Sequence, residues 1–316
     1  MKPLSEFPRI HLGVFPTPLQ RLDNISSYLN TNVWIKRDDM TGVALGGNKV
    51  RKLEFLLADA KKQGAEIVFT TGGAQSNHAM LTAACALKLG MKPIIILQKH
   101  GVLERKGNLL LEYLMGTDVR FLDTTSYDDI YEEMDRIGRA SGKPYYKIPV
   151  GGSNGLGGLG HVECAREIAE AHIPFQHIVC ASGGGGTYAG LVLGAKIFMP
   201  ETKVTGIGVR PADFEASVNQ VIGEMEALLE LPQENEELFI RDMTGPGYAV
   251  PSKEGNAAIA LMARKEGLFL DPVYSGKAFA GLLAMAEEGA FTPEDNVLFV
   301  HTGGAGGLFA VDVNLD

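Results

Sequence analysis

Residues 177–198 read HIVCASGGGGTYAGLVLGAKIF, and three kinds of sequence follow one another along that stretch. HIVCAS is a short β-branched and apolar run, SGGGGT is almost bare of side chains, and TYAGLVLGAKIF carries apolar residues at helical spacing. A strand that turns through glycines into an apolar helix is the repeating unit of a parallel α/β sheet, whose strands are joined by helical crossovers. Successive glycines also let backbone N–H groups turn inward as an anion-binding nest, backed by the positive end of the helix. Thr187 adds a hydroxyl there. Glycines can equally serve as plain loop, but the strand before and the apolar helix after argue against that here. A dinucleotide fingerprint fits poorly, because no acidic residue ends the following strand in VTGIGVRPADFE before Asp213. No Gly-Lys-Ser/Thr follows either, so this is not a Walker loop.

The same alternation extends in both directions. EIVFTT (66–71) precedes a helical pattern near 79–89, PIIILQ (93–98) one near 105–115, and VRFL (119–122) one near 126–141. VTGIGV (204–209) and NVLFVH (296–301) add further strands. The strand count on each side divides the chain into a parallel unit at 43–156 and a second made of 1–42 and 157–316. The acidic stretch between Glu224 and Glu237 reads as a solvated helix and loop.

The chain has 316 residues, 45% hydrophobic and 21% charged, with a formal net charge of −9. That balance argues against nucleic acid or anionic lipid as a partner. Cys85, Cys164 and Cys180 lie far apart in apolar runs without metal-ligand spacing, as expected of buried reduced thiols and of a chain with no metal site. The N-terminal residues offer no signal-peptide core, and no apolar stretch approaches the roughly 18 residues of a membrane span. A cytoplasmic location is the expectation.

Four segments lie where loops of a parallel sheet lead into helices, the usual place for ligands. They are GGNKVRK (46–52), TTGGAQSNHAM (70–80), ASGGGGTYAG (181–190) and HTGGAGGLFA (301–310). In the second, Ser76 or Asn77 can cap the following helix, and the same geometry can bind a carboxylate. His78 taken alone reads as a satisfied structural histidine. In the first, Lys49, Arg51 and Lys52 crowd the positive end of a helix macrodipole, where cations are disfavoured. Such a field lowers the pKa of Lys49 and leaves more neutral amine, the form that makes an imine with an aldehyde. The neighbouring cations become favourable if a phosphate dianion binds beside them. A cofactor carrying both aldehyde and phosphate answers both anomalies, which points to pyridoxal phosphate; three snorkelling surface cations are the plain alternative. Asn48 is the expected helix cap, and Arg51 has no role beyond the field.

Taken together, the motifs resemble the fold-type II pyridoxal-phosphate enzymes, the tryptophan synthase β-like group. More narrowly they resemble its D-cysteine desulfhydrase / 1-aminocyclopropane-1-carboxylate deaminase family. The resemblance runs through FPTPLQRL (15–22), IKRDDMTG (35–42), GGNKVRKLE (46–54), GGAQSNH (72–78), PVGGSN (149–154), GPGY (245–248) and DPVYSGKA (271–278). It implies an α/β fold of two parallel-sheet domains with pyridoxal 5'-phosphate between them. The small domain (43–156) would carry the cofactor lysine near its start, the large one (1–42 and 157–316) would bind the phosphate, and the enzyme would be a homodimer. By resemblance, Lys49 binds the cofactor and later shuttles the Cα proton. Lys52, Gly184, Gly185, Gly186 and Thr187 hold the phosphate, and Asn77 meets the ring hydroxyl. Ser76 sits by the substrate carboxylate and Cα, with Asn77, His78 and Ser275 also on the substrate side. Tyr274 stands near the reacting carbons, and Tyr248 lines the pocket.

The deaminase branch typically has Glu after the DPVY tyrosine and Leu at the start of the last glycine loop. Here those residues are Ser275 and Thr302, the desulfhydrase-like combination, with Thr302 at the cofactor ring. The expected reaction is therefore β-elimination of D-cysteine to pyruvate, ammonia and hydrogen sulfide. The deaminase, an L-cysteate sulfo-lyase, and a non-catalytic pyridoxal-phosphate carrier are the alternatives. A sulfonate substrate would want one more cation in the pocket, from Arg210 or Lys277.

Overall fold

The expected strands assemble into two separate sheets in a computed structural model that describes residues 1–211, 213–234 and 236–313. Strands β1 (Leu19–Arg21) and β2 (Asn32–Arg37) come first, with helix α1 (Asp23–Leu29) between them. Helix α2 (Lys49–Lys62) then leads into β3 (Ile67–Gly73), α3 (Asn77–Lys88), β4 (Lys92–Gln98), α4 (Gly107–Leu114), β5 (Asp118–Leu122), α5 (Tyr127–Ser141) and β6 (Tyr145–Lys147). The remainder runs α6 (Gly155–Ala169), β7 (His177–Ser182), α7 (Gly186–Phe198), β8 (Lys203–Gly208), α8 (Phe214–Leu229) and β9 (Phe239–Asp242). It closes with α9 (Lys253–Glu266), α10 (Ser275–Glu287), β10 (Asn296–His301) and α11 (Ala305–Leu308).

The smaller sheet is four-stranded in the order β5-β4-β3-β6 and parallel throughout. The larger is six-stranded, β1-β2-β10-β7-β8-β9, and parallel except where β1 meets β2. That antiparallel edge departs from the all-parallel expectation. β1 is only three residues long and largely exposed, so it needs no cover on a second face. Strands β2, β6 and β9 also lie outside the runs picked out by β-branched residues. β2 ends in Lys36 and Arg37, and Lys36 is buried against Glu167 of α6 with its amine 2.8 Å from a carboxylate oxygen.

Burial explains the layering. All seven residues of β3 are buried, as for a strand covered on both faces. One core of the larger sheet lies beneath α6, α7 and α8, around Tyr188, Leu191, Val218 and Met225. The other lies beneath α1, α9 and α10, around Ile25, Met262, Phe279 and Phe299. In the smaller sheet, Leu53, Leu57, Met80 and Leu81 join α2 and α3 over one face, and Ile130 and Met134 of α5 cover the other. No helix among the described residues is long and apolar enough to cross a membrane.

Candidate active site

All four glycine-bearing loops meet. Gly47, before α2, forms an isolated antiparallel bridge with Gly303, after β10. Asn48 N donates to Thr302 O at 3.0 Å, closing the same junction. The loops after β3 and β7 complete a cavity of about 310 Å³ between the two sheets, within the usual range for a small-molecule site. Lys49, Lys52, Ser76, Asn77, His78, Gly184, Gly185, Gly186, Thr187, Tyr248, Tyr274 and Thr302 all line it. Ser275 does not.

Helix α2 begins at Lys49 with no acidic residue in its first turn. The Lys49 amine faces the cavity, and burial lowers its pKa from 10.5 to about 8, with Cys180 pulling weakly the other way. The expectation that neighbouring cations cause the depression is therefore corrected: lost hydration is the cause. Arg51 is turned away from the cavity and neutralised. Its Nε and Nη2 donate to Asp38 at 2.8 Å each, and its Nη1 and Nη2 donate to Glu167 at 2.8 and 2.9 Å. Among the described residues Lys52 has no such partner: its Nζ reaches Gly151 O at 3.1 Å and Ser153 Oγ at 3.4 Å, and burial followed by Lys49 holds its pKa well below the ordinary lysine range. Asn48 makes no cap bond with its side chain; its Nδ2 donates instead to Thr187 Oγ1 at 2.9 Å.

Helix α7 starts beyond Gly185, whose φ of +78° is one that glycine adopts without strain, and no side chain caps it. Its first turn therefore has N–H groups without a capping side chain, and Lys52 and Ser153 lie beside it. A Cβ on Gly186 would lie 2.9 Å from Lys52 Nζ and 2.8 Å from Ser153 Oγ, filling the space between them. Bare glycine here keeps a seat lined by donors and, among the described residues, free of carboxylates, which suits a phosphate. Nearby, Asn77 Oδ1 is buried without a protein partner among the described residues, as a group awaiting a ligand donor would be. An amine of lowered pKa, an anion seat and an unpaired amide oxygen around one cavity fit pyridoxal phosphate.

At the other end, Ser76 caps α3, its Oγ accepting from Ala79 N at 3.2 Å, and so keeps its own hydrogen for a ligand. His78 donates from Nε2 to Thr70 Oγ1 at 2.9 Å, since Thr70 spends its hydrogen on Ile148 O. Burial, then Lys49 and Lys52, hold His78 well below the ordinary histidine range, so it is neutral. The Tyr248 and Tyr274 hydroxyls share a hydrogen bond of 2.7 Å, and burial raises the pKa of both. Asp271 sets Tyr274 in place by accepting from the backbone N–H of Val273, Tyr274 and Ser275 at 2.8, 2.9 and 2.7 Å. Ser275 belongs to that bracket: its Oγ donates to Asp271 Oδ1 at 2.6 Å and accepts from Asp271 N at 2.7 Å. Its expected place beside the substrate is corrected, because the first turn of α10 points the hydroxyl back into this network. Lys277 is likewise committed, donating to Thr244 O at 2.7 Å and Gly247 O at 2.9 Å, and so holds the turn that carries Tyr248. Arg210 does line the cavity, its Nε donating to Gly183 O.

Several lining residues escaped the sequence reading of the site, among them Asn48, Gln98, His100, Thr125, Tyr127 and Ser153. PVGGSN gave a usable signal for Ser153, a hydroxyl after two glycines. Nothing local marks Gln98, Thr125 or Tyr127, which reach the cavity from strand ends and connections of the smaller sheet.

A lysine at a helix start, an anion seat on a second helix and a cleft between parallel sheets define a class, the cofactor-dependent enzymes that work through an imine-forming amine. Within that class, residues 10–303 match the family described as pyridoxal-phosphate dependent enzyme, and the chain belongs to it. It has the fold-type II architecture, and its cofactor is pyridoxal 5'-phosphate. A crystal structure described as an ACC deaminase homologue is 39% identical, covers 97% of this chain and 94% of its own, and superposes with a TM-score of 0.91. A fungal L-serine ammonia-lyase from Rhizomucor miehei shares the fold at 19% identity, with 98% and 96% of the two chains covered and a TM-score of 0.69. The processed form of threonine deaminase isoform 2 from Solanum lycopersicum does so at 18% identity, with 100% and 82% covered and a TM-score of 0.66.

Proposed function

We propose that the chain is a lyase that removes the β-substituent of D-cysteine, giving pyruvate, ammonia and hydrogen sulfide. One observation carries the reading: Thr302 stands at the last glycine loop, and no carboxylate lines the cavity among the described residues. A carboxylate at the pyridine nitrogen would keep it protonated and strengthen the ring as an electron sink. Opening an unactivated cyclopropane demands that strength. A β-thiol demands less, because it leaves with the bonding electrons.

When bound, pyridoxal phosphate supplies an aldehyde for an amine and a ring that accepts the electron pair of the Cα–H bond. Lys52, the N–H groups of Gly184 to Gly186 and Thr187 hold the phosphate, and Asn77 holds the ring hydroxyl. Lys49 would anchor the cofactor and accept the Cα proton, a role suited to an amine whose pKa burial lowers to about 8. Ser76 and the first turn of α3 bind the substrate carboxylate, with His78 as a neutral wall. Tyr274, steadied by Tyr248, gives a proton to the departing sulfur. The Cα–H and Cβ–S bonds break, and one water replaces the amino group, so that D-cysteine plus water balances to pyruvate, ammonia and hydrogen sulfide.

Arg210 in the cavity favours a second reading, L-cysteate as substrate, because its cation suits a sulfonate. Purified holoenzyme given D-cysteine, L-cysteine, L-cysteate and 1-aminocyclopropane-1-carboxylate separates these readings. Pyruvate and sulfide from D-cysteine, with little 2-ketobutyrate, are expected. Better production of 2-ketobutyrate would replace the desulfhydrase with the deaminase, and no turnover of any amino acid would leave a carrier.

A further inference from the structure

Helix α6 carries glycines where its neighbours come closest. A Cβ on Gly160 would lie 2.4 Å from Arg51 O of α2, and one on Gly190 of α7 would lie 2.6 Å from His161 Cβ. This close approach seats His161, fully buried, between the helix that bears the lysine and the helix that forms the anion seat. Its Nε2 lies 3.4 Å from Asn48 Nδ2, the same nitrogen that donates to Thr187 Oγ1 at 2.9 Å. An amide nitrogen only donates, so Nε2 is the acceptor and the ring carries its proton on Nδ1. Burial, then Lys52, Arg51 and Lys49, hold this imidazole well below the ordinary histidine range, which keeps it neutral. Nδ1 has no partner among the described residues. A leucine would avoid that cost, so packing alone does not account for a histidine here.

Each hydrogen of the Asn48 amide now has an acceptor, His161 Nε2 or Thr187 Oγ1. Thr187 therefore receives from Asn48, and its own hydrogen finds no acceptor among the described residues. It is left for the cavity, which Thr187 lines. We propose that His161 is a positioning residue for the phosphate seat, fixing the Asn48 carboxamide so that the Thr187 hydroxyl is aimed as a donor at the phosphate. This rests on the reading above that Lys52 and Thr187 bind that phosphate.

The test titrates apoprotein with pyridoxal phosphate and, separately, with pyridoxal, following the visible absorption band. Thr187→Val and His161→Leu each weaken pyridoxal phosphate about tenfold, the scale of one hydrogen bond to a charged group. Both leave pyridoxal unchanged, the double variant is no weaker than Thr187→Val alone, and His161→Gln, which retains an acceptor, stays near the parent. Wild-type affinity in His161→Leu, additive losses in the double variant, or equal losses for pyridoxal and its phosphate would overturn the proposal. Unchanged affinity in both Lys52→Ala and Thr187→Val would instead overturn the phosphate-seat reading itself.

Discussion

The two faces of the first turn of α2 carry the same kind of charge in opposite circumstances. On one face Arg51 is locked between Asp38 and Glu167, and Lys36 joins the same cluster through Glu167. On the other, Lys49 is partly buried and Lys52 fully buried, with no carboxylate in hydrogen-bonding reach among the described residues, beside two histidines kept neutral. The first cluster is complete as it stands. The second carries a cost of burial that no protein group among the described residues offsets, and an anionic ligand removes it. Unmatched buried charge, rather than charge as such, separates a ligand site from a structural network.

The two faces should therefore answer differently to the loss of one cation. Arg51→Met leaves Asp38 and Glu167 buried with too little positive charge, and should cost about 3–5 kcal/mol in denaturant unfolding of the apoprotein. Lys52→Met removes a charge that lacks a partner, so the same experiment should show equal or greater apoprotein stability. Its loss appears elsewhere, as roughly 100-fold weaker cofactor binding in a spectral titration, on the scale of a buried charged contact. A destabilised Lys52→Met apoprotein with normal cofactor affinity would break the comparison.

Smaller effects sharpen it. Tyr274→Phe removes the hydroxyl assigned to the leaving group, so kcat should fall about 100-fold with KM little changed. An equal loss with Tyr248→Phe would show the pair acting as one unit. Ser76→Ala should raise KM about tenfold, the scale of one hydrogen bond to a carboxylate.

Glu112 supplies a third case, a buried carboxyl with no hydrogen-bond partner among the described residues. Burial raises its pKa from 4.5 to about 8, so it stays protonated where the unfolded chain ionises. The folded state then binds the extra proton, and stability falls as pH rises from 4.5 to about 8. Glu112→Gln should remove that fall, raising Tm at pH 8 relative to the parent and leaving it unchanged near pH 4. A parallel pH dependence in the variant would exclude Glu112 as the source.

The sequence disclosed whatever is local. HIVCAS and NVLFVH are strands at the limits the β-branched runs suggest, and the four glycine loops meet because loops at the ends of parallel strands converge. Pairings between distant segments stayed hidden. Nothing near Arg51 announces Asp38 and Glu167, so its charge was counted toward the site it turns away from. Ser275 misled for the opposite reason: it adjoins Tyr274 in sequence, yet the start of α10 sends the two side chains different ways. His161 carries no local mark at all, since its place depends on how closely glycines let α6 approach α2 and α7.

The bare cation face of α2 is proposed as the cofactor site, with Lys49 as its anchor. Borohydride reduction of the purified holoenzyme, followed by peptide mass spectrometry, tests it directly. The reduced pyridoxyl phosphate mass is expected on Lys49, with loss of the visible band. A label on Lys52 or on any other lysine, or none in a protein that still turns over, would contradict it.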